Sequence, residues 1–152
     1  MRTWLLVWNP NRWAWDDQVE GCWEAREEIE QIGFSIQKWS CGVNKSIQQG
    51  DRIFLIKLGK EPRGMIASGY ALSKSFEGTH WDLEKRAQGK KIHRVYVSFD
   101  SIRTDDAIMP MKKLIDLAGN YHWSSQASGV EIPDSIAQKL ENYWETPGKI
   151  VL

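Results

Sequence analysis

The chain is poor in the residues that build metal centres and redox frameworks. It carries two cysteines, Cys22 and Cys41, and three histidines, His80, His93 and His122, in 152 residues. The cysteines stand nineteen apart with no second pair, so no disulfide framework is expected. The histidines are scattered, and neither alone nor with the cysteines do they match zinc-ligand spacing, so no metal is expected. No apolar run approaches the roughly eighteen residues that a membrane-spanning helix needs. Arg2 is followed by only a handful of apolar residues before Asn9-Pro10, which is too short for a secretory leader, and the expected compartment is a reducing cytoplasm. Walker-type phosphate loops, paired-glycine dinucleotide turns and Gly-x-Ser-x-Gly elbows are also missing. These absences argue against an enzyme and against a bound cofactor.

Net charge is lacking as well. Twenty basic and twenty acidic side chains cancel, which excludes a protein that coats nucleic acid by bulk electrostatics. The cancellation is uneven along the chain. Residues 45 to 94 carry eleven Lys or Arg against five acids, a net +6, while residues 1 to 44 are net −3. A basic segment of this kind is either a solvated face or a phosphate-binding one.

What the chain does have is tryptophan, nine of them, several in polar loop-like sequence. A flat indole at a polar loop mouth is suited to gripping a flat or cationic ligand by stacking. Trp39 stands in Lys-Trp-Ser-Cys-Gly, Trp81 in Gly-Thr-His-Trp-Asp and Trp123 in Tyr-His-Trp-Ser-Ser, each at the boundary of a strand or glycine turn with a polar loop. Two such rings facing each other across a gap can sandwich a base, while a neighbouring hydroxyl or amide, Ser40 or Asn9, reads its edge. Plain core packing competes with ligand binding as the role of any one tryptophan. Trp23 and Trp144 fall at helical core positions, and Trp4 faces one side of a strand.

The length suits one domain. Strands are expected over Thr3 to Trp8, Phe34 to Trp39, Arg52 to Leu58, Met65 to Leu72 and Ile92 to Ile102, with a brief one at Val130 to Ile132. Ser68-Gly69 suggests a bulge inside the fourth. A loop carrying Trp13 and Trp15 follows the Asn9-Pro10-Asn11 turn. Helices are expected over Asp17 to Ile32 (inner stripe Val19, Cys22, Trp23, Ile29 and Ile32), Pro110 to Ala118 (inner side Met111, Leu114, Ile115 and Ala118) and Pro133 to Trp144. Tyr121 to Gly129 reads as a loop. The order of elements is that of an α+β fold with a mixed or antiparallel sheet.

Several strings taken together carry a resemblance: Trp4 to Trp15; Trp39-Ser40-Cys41-Gly42 with Lys45-Ser46-Ile47 and Gly50 to Ile56; Pro62 to Gly69; His80-Trp81-Asp82; and Trp123 to Pro133. In this order, over nearly the whole chain, they resemble the EVE domain. More narrowly, they resemble the EVE domains at the N-terminus of HNH-type modification-dependent restriction endonucleases. The EVE domain belongs to the PUA-like superfamily and is similar to YTH domains. The resemblance implies a small curved mixed β-barrel with flanking helices, a single domain over residues 1 to 152, and an aromatic cage for a modified base. It implies that Trp39 is one cage wall with Ser40 beside it, Trp81 the second, and Trp8 and Asn9 the groups at the base edge, where many relatives have a lysine-serine pair. The loop from Trp123 to Gly129 is expected to line the same pocket or the adjacent backbone groove.

The expected function is therefore a non-catalytic reader that flips 5-methylcytosine, 5-hydroxymethylcytosine or N6-methyladenine out of DNA in restriction or defence. Only eight residues follow Trp144, with no HNH motif, so a nuclease or motor is expected in trans or not at all. Lys45, Lys57, Lys60 and Arg63 are candidates for phosphate contacts, although solubility accounts for lysines at a turn equally well. A reader of modified RNA is the alternative. A third reading, of a different class, is a small-molecule site or nucleoside hydrolase using His80 and Asp82.

Overall fold

The computed structural model describes residues 1–15, 22–80 and 82–145. Eight strands form one curved, unclosed mixed sheet: β1 (Thr3–Trp8), β2 (Ser35–Ser40), β3 (Arg52–Lys57), β4 (Gly64–Ala71), β5 (Phe76–Thr79), β6 (Lys91–Ile102), β7 (Met109–Pro110) and β8 (Val130–Ile132). Four helices accompany it: α1 (Trp23–Ile32), α2 (Leu83–Ala87), α3 (Met111–Leu117) and α4 (Asp134–Glu145). The main path of the sheet runs β2-β6-β4-β3-β1-β8, with β5 added on β6 and β7 on β4. Among the described residues only β1 and β3 pair in parallel, and the other pairs are antiparallel.

The two-residue period of the strands divides the core into two layers. Trp4, Leu6 and Trp8 of β1 join Ile53, Leu55, Val95, Val97, Phe99 and Trp39 on an inner face, which α1 covers with Ala25 and Ile29. Leu5, Phe54 and Ile56 point the other way and pack with Leu114, Trp123, Leu140 and Trp144 from the α3–α4 side. At the expected bulge the β4–β6 register shifts between Ser68 and Gly69. A Cβ on Gly69 would lie 2.4 Å from the Ser98 carbonyl oxygen, so the close strand approach there requires glycine.

Arg52 is 4% exposed and binds Asp100 (2.9 Å) and Glu141 (2.5 Å). Ser68 donates to Asp100 at 2.6 Å and accepts from the Trp144 indole at 2.9 Å. This network ties β3, β4, β6 and α4 together, and its partial burial is sustained by complete pairing.

Three helix expectations change. The residues 17 to 21 lie outside the described residues, and α1 begins at Trp23 with a buried stripe of Cys22, Ala25 and partly Ile29. Trp23 is one step, about 100° of helix rotation, off the buried Cys22 and is 49% exposed. Ile32 ends the helix just before the left-handed Gly33 and is exposed too. In α3 Met111 and Leu114, with Ala118 just past its end, face the core as expected and Leu117 joins them, while Ile115 faces solvent.

Across the unclosed side of the sheet, side chains make the ties that a ladder does not. β8 pairs with β1 only as far as Leu5, which leaves the Val7 peptide groups without a partner in β8. The Ser128 hydroxyl accepts from Val7 N–H at 3.1 Å and donates to the Ser40 carbonyl at 2.7 Å. The Trp39 indole donates to the Val7 carbonyl at 3.1 Å. Edge strand β2 is thereby tied to the end of β1 across a gap that no backbone pairing fills.

Candidate nucleic-acid interface

That gap opens as a cavity of about 570 Å³, within the range of roughly 300–1,000 Å³ typical of small-ligand sites. Its walls come from the end of β1 and the turn after it (Trp8, Asn9, Arg12, Trp13), from β2 (Lys38, Trp39, Ser40), from β5 and β6 (Phe76, Gly78, Arg94), from α2 (Arg86) and from the loop before β8 (Gln126, Ser128).

The aromatic wall is held by its own hydrogen bonds. Asn9 accepts Asn11 N–H on its side-chain oxygen at 3.0 Å, and its carbonyl accepts from the amides of Arg12 (3.0 Å) and Trp13 (3.1 Å). This Asx turn follows from Asn9-Pro10-Asn11. It sets the Trp13 carbonyl under the Trp8 indole, which donates to it at 2.9 Å. Trp13 meets Trp39 edge-on, with centroids 4.9 Å apart at 89°, and Trp15 backs Trp39 at 4.6 Å. Trp39 is only 5% exposed, whereas Trp13 is 45% exposed. Trp39 is thus the fixed floor, and Trp13 the accessible ring beside it.

Among the described residues four cations line the cavity, Arg12, Lys38, Arg86 and Arg94, and no carboxylate does. None of the four pairs with a carboxylate among the described residues. Arg94 donates to the Thr79 carbonyl at 2.6 Å, and Arg86 to the His80 carbonyl at 3.0 Å. Arg94 stands opposite Ser40 of β2 on one side and Phe76 of β5 on the other. Its guanidinium lies over Gly78, where an added Cβ would come within 2.7 Å of it. The polar groups that could read a base edge are the Ser40 hydroxyl, the Asn9 amino group and Gln126. The last two have no partner among the described residues.

Of the residues singled out from the sequence, Trp8, Asn9, Trp39 and Ser40 meet here. Trp81 lies outside the described residues. Trp123 does not line the cavity. It is 2% exposed in the opposite core, and its indole donates at 3.0 Å to the Ala118 carbonyl at the end of α3, which also accepts from Tyr121 N–H at 3.2 Å. The loop it begins does reach the cavity, through Gln126 and Ser128.

Lys57 is also corrected. As the last residue of a central strand it is 3% exposed, and its ammonium is neutralised by Asp105 at 2.8 Å, which leaves nothing for a phosphate. Lys45, Lys60 and Arg63 are exposed but do not line the cavity, and Arg63 pairs with Glu61 at 3.1 Å. Sequence reasoning missed Trp13, Arg12, Lys38, Arg86, Arg94 and Gln126. Trp13 and Gln126 had a signal, a tryptophan after an Asn-Pro-Asn turn and a polar aromatic loop. Of the cations, Arg86 and Arg94 belong to the basic middle segment, while Arg12 and Lys38 fall in the acidic stretch before it and had no signal.

His80 and Asp82, the residues of the hydrolase reading, are committed to local structure. His80 Nδ1 accepts Asp82 N–H at 3.0 Å. The Asp82 carboxylate caps α2 by accepting from Glu84 N–H (2.9 Å) and Lys85 N–H (3.3 Å). Burial, and then the nearby Lys85, push the His80 pKa down, so the imidazole is neutral at neutral pH.

No protein-family model and no curated protein sequence matches this chain. Solved structures match over nearly its whole length. A hypothetical protein from Leishmania major has a TM-score of 0.62 at 10% identity, covering 98% of each chain. A protein from Pseudomonas syringae has 0.60 at 10% identity, covering 93% of this chain and 98% of that one. Human THYN1, solved in complex with DNA containing 5-methylcytosine, has 0.59 at 12% identity, covering 95% of this chain and 98% of that one. The fold is the one that THYN1 and these structures have, reached with little sequence in common. Among the described residues no helix is long and apolar enough to cross a membrane.

Proposed function

We propose that this chain is a non-catalytic nucleic-acid-binding module that holds a single modified base in the cavity between β1 and β2. One observation carries the reading. Three indoles and four cations converge on one cavity, and among the described residues no carboxylate lines it or pairs with those cations. Stacking faces and phosphate-seeking charge are the two things a nucleotide offers to be recognised by. The fold shared with THYN1, whose DNA ligand contains 5-methylcytosine, supports the same reading. A base inside a duplex cannot reach such a cavity, so the target nucleotide is flipped out or already unpaired. The base packs against Trp39 and Trp13, with Ser40, Asn9 and Gln126 at its edge. Arg12, Lys38, Arg86 and Arg94 hold the flanking phosphates. Any cutting or remodelling belongs to a partner in trans, as in restriction of modified DNA.

The test is a binding screen at fixed salt with 5-methylcytosine, 5-hydroxymethylcytosine, N6-methyladenine and unmodified oligonucleotides, each as DNA and RNA. One modification bound at least tenfold above its unmodified match supports the reading. Equal affinity for every member of the screen rejects it. The DNA and RNA arms separate the two classes of target through the 2′-hydroxyl.

A further inference from the structure

Beyond the cavity, the outer face of β6 carries an aromatic pair that the core does not need. Val95, Val97 and Phe99 point into the inner core, so Arg94, Tyr96 and Ser98 face outward. Tyr96 is 43% exposed and lies directly opposite Lys38 of β2. On its other side Phe76 of β5 stacks on it, with ring centroids 5.4 Å apart at 27°. Phe76, Lys38 and Arg94 all line the cavity as well, so cavity and outer face form one continuous surface.

We propose that this face is a second nucleotide-binding position, on which the neighbour of the base in the cavity stacks against Tyr96, so that the bound strand leaves the cavity single-stranded. The proposal rests on the base-binding reading given above and extends it to the flanking strand. An exposed ring can be covered by a base only if that base has left its own stack, since inside a duplex both of its faces are already occupied. Charge agrees with this path. Lys38 and Arg94 flank the ring pair on the cavity side and have no carboxylate partner among the described residues. Further from the cavity, next to Tyr70, Asp100 and Glu141 converge on Arg52, and both carboxylates are partly exposed. Those acids repel a phosphate backbone, so the track extends to Tyr96 and stops before Tyr70. The same sheet face also exposes Ile36, Tyr70 and Leu72, which makes a second copy of this chain the rival occupant.

The experiment compares the parent protein with Tyr96→Phe, Tyr96→Leu and Tyr96→Ala. Ligands are the three modified bases, each as a free nucleoside, in a short single strand and in a matched duplex. The expected result is that all four proteins bind the favoured nucleoside alike, while the Leu and Ala variants bind the single strand about five- to a hundredfold more weakly. Tyr96→Phe behaves as the parent, because it keeps the ring face that Tyr96→Leu removes. The proposal is overturned if Tyr96→Leu binds the single strand as the parent does while the nucleoside still binds. A parent dimer that Tyr96→Ala converts to a monomer in light scattering also overturns it, in favour of a second copy. If no nucleoside or oligonucleotide binds the parent, the base-binding reading fails and this one fails with it.

Discussion

Gly78→Ala isolates the contribution of one cation without touching it. The methyl group would sit 2.7 Å from the Arg94 guanidinium nitrogen, well inside contact distance, while its next nearest neighbour, the Ile92 carbonyl oxygen, is 3.8 Å away. The obstacle is the tip of a flexible side chain, so the guanidinium moves and the backbone does not. Moving it breaks the 2.6 Å bond to the Thr79 carbonyl that aims Arg94 across the cavity. Stability should change by no more than about 1 kcal/mol, because alanine is no worse than glycine in a strand and the lost hydrogen bond is solvent-exposed. Affinity should fall, and the slope of log affinity against log salt should flatten by about 0.7 for a single strand or 0.9 for duplex, the signature of one phosphate contact. The assay is fluorescence anisotropy over a salt series on the parent, Gly78→Ala, Arg94→Gln and the double variant, with thermal melts alongside. The two single changes should not add. A Gly78→Ala protein with the parent's slope, beside an Arg94→Gln protein with a flattened one, would refute the positioning argument.

Trp13→Ala should lower affinity for the favoured oligonucleotide about five- to a hundredfold with a smaller effect on stability, since the ring is half exposed and its backbone bonds survive. Trp123→Ala should do the reverse, losing about 3–5 kcal/mol of stability, as melts and denaturant titrations would show. For Asp51, burial raises the pKa, but hydrogen bonds from Gln48 N–H, the Trp4 indole and Arg2 N–H outweigh it and hold the carboxyl below its ordinary value. Its stabilisation is therefore full above the ordinary carboxyl range and is lost as pH falls through the depressed value. Asp51→Asn should be about 1.5–3 kcal/mol less stable than the parent at neutral pH, and the gap should close on acidification. Burial pushes the Cys41 thiol up to about 11, so it should react with thiol reagents at neutral pH only as fast as the protein opens, which a stopped-flow titration would follow.

Strand positions were legible because alternation and β-branched runs announce them. β1 spans Thr3–Trp8 as the sequence suggests, and β3, β4, β6 and β8 fall within a residue of expectation at each end. Even the bulge beside Gly69 was readable, because a glycine inside an apolar strand weakens it and is kept where the ladder bulges or another backbone comes close. β5 and α2 were not legible. Phe76-Glu77-Gly78-Thr79 is four residues with an internal glycine, and α2 has five residues with none buried, so no periodic signal exists. α2 depends on its Asp82 cap and not on an apolar stripe. The same contrast divides the candidate site. Trp39, Ser40, Trp8 and Asn9 were found because aromatic residues beside polar turns are conspicuous. Lys38 and Arg94 are ordinary outward positions of two strands far apart in sequence, and only the β2–β6 register brings them to one cavity. Trp123 and Lys57 misled for the converse reason, since a polar neighbourhood in sequence says nothing about an indole that folds back onto a helix end or an ammonium matched by a distant Asp105.

The indole N–H resonances offer the most direct measurement of base capture in the cavity. Each can be assigned by single substitution and followed by NMR while the best oligonucleotide of the screen is titrated in. Trp13, Trp39 and Trp8 should shift together and saturate with the binding curve, while Trp123 and Trp144, on the far side of the sheet, stay in place. Saturable binding that leaves the Trp13 and Trp39 signals unmoved would contradict the assignment of this cavity as the base-binding site.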